Sequence, residues 1–178
     1  MPASIEYDKY QKLGAYHWDE YAANTVYAQH ADRVRNWVRE RPVLDAGCGD
    51  GLITHLLAKD GGVVLGIDSD AEGIRLAQER GVNAQIGDVY HPPSGPWAAV
   101  YLGDVLEHLD APEKAIRALG KVTDTLYIAT PPKGRELHDH RHTKEYTEED
   151  LKALMRGMGW TWLAMSVMYA RILGKFRK

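Results

Sequence analysis

The stretch Pro42-Val43-Leu44-Asp45-Ala46-Gly47-Cys48-Gly49-Asp50-Gly51 decides how this chain reads. A short apolar run, Val43 and Leu44, ends in the acid Asp45, and Gly47, Gly49 and Gly51 then alternate with Cys48 and Asp50. Directly afterwards Leu52, Ile53, Leu56 and Leu57 recur with the spacing of one helical face. The order is strand, glycine turn, helix. Such a turn sets bare backbone N–H groups at a helix N-terminus, which suits an anionic or polar ligand group. Its glycines permit positive φ and let a ligand approach where no Cβ stands. The dinucleotide pattern G-x-G-x-x-G would need its third glycine one residue later than Gly51.

Downstream, Val63 to Ile67 reads as a second, buried strand that ends in Asp68. An acid there, roughly twenty residues past the glycines, presents two acceptor oxygens to the two vicinal hydroxyls of a ribose. Ser69 or Asp70 then caps a helix from Ala71 to Arg80, closed by Gly81. A third strand, Val82 to Ile86, runs into Gly87-Asp88-Val89. The segment His91 to Pro96 is too rich in proline for regular structure and forms a surface loop. Trp97 to Leu102 is the fourth strand, and at its end come Gly103-Asp104-Val105-Leu106-Glu107-His108-Leu109. Ligands of open α/β sheets sit at the carboxyl ends of the strands. Asp104, Glu107 and His108 are therefore candidates for chemistry.

The remaining segments frame this core. Asp110-Ala111-Pro112-Glu113 opens a helix, with Asp110 as its cap and Pro112 in its first turn. Thr125 to Ala129 is a fifth strand, and residues 133–145 are polar, with His138, His140 and His142 near alternation. Thr147 and the acids after it start a last helix, whose apolar face is Leu151, Leu154, Met155 and Met158. Trp160 to Tyr169 and Ala170 to Phe176 are long enough for two strands, although no Asn-Gly turn joins them. Before the glycine turn, Tyr7, Tyr10, Tyr16, His17, Trp18 and Tyr21 cluster around Gly14. From about Asn24 a helix follows, its stripe made of Val26, His30, Val34, Trp37 and Val38 and its end set by Pro42. These aromatic side chains either pack the helix onto the sheet or reach a ligand, Tyr16 and His17 first among them.

The opening D-x-G-C-G-x-G resembles the first motif, D/E-x-G-x-G-x-G, of the class I S-adenosylmethionine-dependent methyltransferases. Leu106-Glu107-His108-Leu109 is similar to an L-E-H-L segment of many small-molecule members, and His142 to Leu151 is similar to their H-x-x-x-[FY]-T-x-x-x-L segment. The resemblance covers roughly Pro42 to Trp160. It implies an α/β fold: a Rossmann-like, doubly wound, mostly parallel sheet of seven strands, the last antiparallel, with helices on both faces. It also implies one domain, 1–178, with 1–41 as a helical cap and 42–178 as the cofactor-binding core. S-adenosylmethionine would be held by Asp45, Gly47, Gly49, Gly51, Asp68, Ser69, Asp88, Val89, Asp104 and Tyr16. In that family an acid placed like Asp88 holds the adenine amino group, and the N–H of the next residue, here Val89, meets a ring nitrogen. His108, Asp104 and His142 would carry catalysis.

Part of the same segment resembles the small-RNA 3′-terminal ribose 2′-O-methyltransferases, with their E-x-x-E-H and a distant histidine. Asp104 stands here in place of the first Glu. That likeness implies a divalent metal, Mg, Mn or Zn, on Asp104, Glu107, His108 and His142. The expected acceptor is a small-molecule hydroxyl; an RNA ribose hydroxyl is the alternative, and a non-catalytic S-adenosylmethionine-binding protein is a third reading.

Composition sets the bounds. The 178 residues, 44% of them hydrophobic, suffice for one domain with a core. A net charge of −3 and a pI near 6.2 give no global nucleic-acid footprint. Cys48 is the only cysteine, so neither an intrachain disulfide nor a thiolate metal cage is available. With no apolar run of spanning length and no signal-like N-terminus, the expectation is a cytoplasmic protein that engages no membrane.

Overall fold

The computed structural model describes residues 9–134 and 142–178. Tyr7, His138 and His140 lie outside the described residues. Three helices come first: α1 (Lys9–Leu13), α2 (Tyr16–Ala22) and α3 (Val26–Trp37). The core then alternates β1 (Val43–Ala46), α4 (Leu52–Ala58), β2 (Val64–Asp68), α5 (Ala71–Glu79), β3 (Ala84–Ile86) and β4 (Ala99–Gly103). After a 3₁₀ turn at Leu106–His108 follow α6 (Pro112–Leu119), β5 (Thr125–Thr130), α7 (Glu148–Gly157), β6 (Thr161–Met168) and β7 (Arg171–Arg177).

The seven strands form one sheet in the order β3-β2-β1-β4-β5-β7-β6. All pairings from β3 to β5 are parallel, and β7 runs antiparallel to both β5 and β6. The strand order reverses between β1 and β4, and that topological switch point is where an open α/β sheet offers its crevice. All four residues of β1 are buried, as a central parallel strand covered on both faces requires. On one face Leu44, Leu102, Leu126 and Ile128 pack with Ile116 and Leu119 of α6 and Met155 of α7. On the other, Val43, Tyr101 and Tyr127 pack with Val34 of α3 and Leu56 and Leu57 of α4. The expected doubly wound fold, with its antiparallel last strand, is the one observed.

Local departures from the expected elements have identifiable causes. Strand β3 begins at Ala84 and not at Val82, because Val82 N–H closes the turn after α5 onto the carbonyl of Ala77. Asp110 does not cap α6; Ala111 holds that place without a side-chain bond, and Pro112 supplies the preset φ of the first turn. Val26 faces solvent at 51% exposure, and Val38 is buried just beyond the end of α3. By contrast α7 starts as expected: the Thr147 hydroxyl accepts from Asp150 N–H while the Asp150 carboxylate accepts from Thr147 N–H. The β6–β7 hairpin turns through Tyr169 and Ala170 at φ of 50° and 67°. Two-residue hairpin turns require positive φ, and here two non-glycine residues provide it, which hid the turn from a search for glycine.

Candidate active site

The carboxyl ends of β1, β2, β3 and β4 border one cleft of about 980 Å³, roofed in part by α1, α2 and α3. Asp45, Gly47, Cys48, Asp68, Ser69, Asp88 and Val89 line one end. Asp104, Glu107, His108, His142 and Arg171 line the other. Of the residues expected to form a site, Gly49 and Gly51 lie behind the wall, as parts of its scaffold.

At the first end, the glycine turn is held from below by β2. Gly47 and Cys48 N–H donate to the carbonyl of Ile67 (2.7 and 3.0 Å), and Gly49 N–H donates to Oδ2 of Asp68 (2.8 Å). These three amides are therefore already satisfied, contrary to the expectation of bare N–H groups along the turn. The glycines serve close approach: a Cβ on Gly47 would run into Val105, and one on Gly49 into the hydroxyl of Tyr10. Both have positive φ, 84° and 54°.

Asp68 takes Gly49 N–H on one oxygen and Asp70 N–H on the other (both 2.8 Å). Asp70, and not Ser69 or Asp68, caps α5, accepting from Glu72 and Gly73 N–H. Each carboxylate oxygen of Asp68 keeps a further acceptor site. Asp45 is turned to α4 instead: Thr54 donates its hydroxyl to Oδ2 at 2.6 Å. Burial pushes the Asp45 carboxyl up to about 7, against the Thr54 hydrogen bond and with help from the charge of Asp68. Asp88 accepts Tyr90 N–H (2.8 Å), while its other oxygen meets the ring of His91 at 3.0 Å.

The N-terminal helices are tied to this turn through Asp50. Its fully buried carboxylate accepts from His17 N–H and meets His17 Nδ1, both at 3.0 Å, while its carbonyl accepts from Trp18 Nε1 (2.9 Å). His17 thus faces the cleft but is fastened to Asp50, and Tyr16 stands beside it with ring centroids 3.9 Å apart. Tyr10 is the more deeply placed aromatic, 3% exposed and seated against Gly49 and Gly73. Sequence reasoning named Tyr16 and missed the role of Asp50. Its only local signal was an acid inside the glycine turn.

The second end is assembled from remote segments. Asp104 stands at φ 53°, unusual for a non-glycine residue, directly after β4. Its Oδ1 accepts from Arg171 Nε at 2.5 Å. Burial favours the neutral acid, but the Arg171 charge and its hydrogen bond outweigh it and hold the Asp104 carboxyl below its ordinary value. Glu107 is 2% exposed; Thr130 donates its hydroxyl to Oε2 (2.9 Å), and Oε1 has no partner among the described residues. Burial first, and then the Asp104 charge, push the Glu107 carboxyl up to about 8. The Glu107 carbonyl accepts from Thr143 and Lys144 N–H (2.8 and 3.2 Å), which brings His142 over the 3₁₀ turn. The rings of His108 and His142 then meet edge-on, centroids 4.8 Å apart.

One ligand atom each from Glu107, His108 and His142 lie within 4.8 Å of one another. Asp104, expected in the same set, is not among them, because it is turned to Arg171. Farther in, His30 on α3 lies 3.4 Å from the hydroxyl of Tyr101, and burial lowers its imidazole to about 4. Neither His30 nor Arg171 carried a motif that would have announced it.

A family profile described as a methyltransferase domain matches residues 18–164. The ubiquinone biosynthesis O-methyltransferase of Saccharophagus degradans is 30% identical over 137 residues, which span 67% of this chain and 57% of that protein. The enzyme of the same description from Bordetella avium is 26% identical over 129 residues, 64% of this chain and 54% of that one. The chain thus spans just over half the length of these curated relatives. Among solved structures, the magnesium protoporphyrin IX methyltransferase of Synechocystis PCC 6803 with bound SAH superposes with a TM-score of 0.75 at 21% identity, covering 96% of this chain and 97% of that one.

Proposed function

The chain belongs to the methyltransferase-domain family, within the class I S-adenosylmethionine-dependent enzymes, and from that premise we propose that it methylates a hydroxyl of a small-molecule acceptor. The observation that carries the reading is the continuity of the cleft. One space of about 980 Å³ joins Asp68 and Asp88 to Glu107, His108 and His142. The residues at the first end fit the cofactor: Asp68 has acceptor sites left for two ribose hydroxyls, and Gly47 brings backbone without a side chain to the cleft wall. When bound, S-adenosylmethionine supplies an electrophilic methyl group on a sulfonium sulfur.

The rest is work for the chain. Asp68 fixes the ribose, and Asp88 with the backbone of Val89 fixes the base. Asp104 and the β4 end set the place of the acceptor opposite the sulfur. His108, steadied by the edge of His142, takes the proton of the acceptor hydroxyl as general base. The relatives' descriptions support an O-methylation of a small molecule.

A second reading rests on the unpartnered Oε1 of Glu107. Glu107, His108 and His142 offer oxygen and imidazole donors of the kind that hold Mg²⁺, Mn²⁺ or Zn²⁺. A cation there would lower the pKa of an acceptor hydroxyl, including that of an RNA ribose. The test follows formation of S-adenosylhomocysteine with a panel of hydroxylated aromatic compounds and with short RNA, before and after exhaustive chelation. Turnover that survives chelation and vanishes in His108→Ala supports acid–base catalysis. Turnover lost on chelation and restored by added metal supports the second reading. Tight S-adenosylmethionine binding with no turnover on any acceptor would leave a cofactor-binding protein.

A further inference from the structure

The acceptor end of the cleft contains a cation that the proposed chemistry does not use. Arg171 opens β7 immediately after the Tyr169–Ala170 turn, and the pairing of Ile172 with Thr130 holds it beside the end of β5. Its side chain is 16% exposed, at the cleft wall. A guanidinium that served only as counter-ion to a carboxylate would be strongest with two parallel bonds. The observed pair makes one, from Nε to Oδ1 of Asp104. Nη1 donates to the carbonyl of Ala170 at 3.0 Å. Nη2 makes no hydrogen bond among the described residues and is not sealed in the interior.

The surroundings of Arg171 favour an anion of the ligand over a further protein anion. Asp104 is already engaged, and the Glu107 carboxyl is turned to the hydroxyl of Thr130. His30 is kept neutral by burial, and the hydroxyls of Tyr27 and Tyr101 stay protonated for the same reason. Among the described residues the other permanent cations of the cleft are Lys9 and Lys12 of α1, and Lys9 lies over the ring of Tyr16 at 4.3 Å. The same cleft is lined by three rings packed on one another: Tyr16 tilted on His17 (centroids 3.9 Å, 40° between planes) and His17 stacked on Tyr27 (4.7 Å, 23°).

We propose that Arg171, through Nη2, binds a carboxylate on the methyl acceptor, so that the substrate class is the hydroxylated aromatic acids. The ring lies beside the Tyr16–His17–Tyr27 cluster, its carboxylate reaches β7, and its hydroxyl faces His108. This rests on the methyltransferase reading for what happens to the hydroxyl, but the binding site itself stands on Arg171.

The probes are 3,4-dihydroxybenzoate and catechol, which differ only by the carboxylate. Each is titrated calorimetrically into the full chain with and without S-adenosylhomocysteine. The wild type is expected to bind 3,4-dihydroxybenzoate about tenfold or more tightly than catechol, as a charge-assisted hydrogen bond implies. Arg171→Gln should make the two bind alike while S-adenosylhomocysteine binding reports an intact fold. Should Arg171→Gln not fold with Asp104 left unpaired, Arg171→Lys keeps the charge, loses the fork, and should reduce the preference several-fold. Equal binding of the two probes to the wild type, or a preference undiminished in both variants, overturns the proposal. A preference found in a protein that binds no S-adenosylhomocysteine would keep the Arg171 site and overturn the methyltransferase reading instead.

Discussion

The two ends of the cleft are made in different ways. At the β1–β3 end, backbone and acid come from the same stretch that forms the strand: Gly47 to Gly49 hang on Ile67 and Asp68, one strand away. At the β4 end, the wall is a meeting of side chains distant in sequence, with Asp104 on Arg171, Glu107 on Thr130, and His108 on His142. The first end is built by local hydrogen bonds, which tolerate any acceptor chemistry downstream. The second depends on buried ionisable groups brought together by tertiary packing. A cofactor shared by many enzymes suits the first construction, and an acceptor peculiar to one suits the second.

Glycine substitutions should break the first end most completely. Gly49→Val places a branched side chain against the Tyr10 hydroxyl at a φ that valine avoids, and calorimetry should find no S-adenosylmethionine binding. On the proposed ribose contact, Asp68→Ala removes two charge-assisted bonds, each about 1.5–3 kcal/mol in gross terms. The affinity for S-adenosylmethionine should then fall by about two orders of magnitude. Unchanged affinity in Asp68→Ala would remove the ribose assignment.

A pH titration adds to the contrast, because each end holds a buried acid pushed far above the carboxylate range. Asp45, up at about 7, and Glu107, up at about 8, keep their protons in the fold at pH values where the unfolded chain has lost them. The native state binds more protons, so stability is fullest below the ordinary carboxylate range. It is lost as pH rises, through about 7 for Asp45 and through about 8 for Glu107. Each tenfold in proton affinity is worth about 1.4 kcal/mol. Thermal melting is expected to fall by several degrees between pH 5 and 8.5. Asp45→Asn should make the decline shallower up to about pH 7, whereas Glu107→Gln should make it shallower up to about pH 8; a melting temperature independent of pH in the wild type would contradict the assignment.

The smallest effect separates the cofactor from the acceptor within the first end. Asp88→Asn should weaken S-adenosylmethionine and S-adenosylhomocysteine by the same few-fold factor, since both carry the base, and binding of the two measured side by side checks it. A change confined to the acceptor KM would move Asp88 to the other end of the cleft.

The difference between the two ends also explains what was legible in the sequence. Strand, turn and following acid are local patterns, so β1, β2, the glycine turn and Asp68 could be read from residue types at fixed spacing. The capping box of α7 was legible for the same reason. Asp50 was not, because its partners His17 and Trp18 lie over thirty residues upstream. Arg171 was hidden further, behind a hairpin turn with neither glycine nor asparagine. Asp104 was placed in a metal set by the likeness of its segment to E-x-x-E-H; the strand β7 that turns it to Arg171 leaves no trace near residue 104.

On the proposed reading one cleft holds the cofactor at the β1–β3 end with its sulfur turned toward His108. A crystal structure of the chain with S-adenosylhomocysteine tests it most directly. The ribose hydroxyls are expected on Asp68, the adenine beside Asp88 and Val89, and the sulfur at the Asp104 side, with the space before His108, His142 and Arg171 left open for the acceptor. An adenine lodged against His108 and Arg171, with Asp68 untouched, would contradict it.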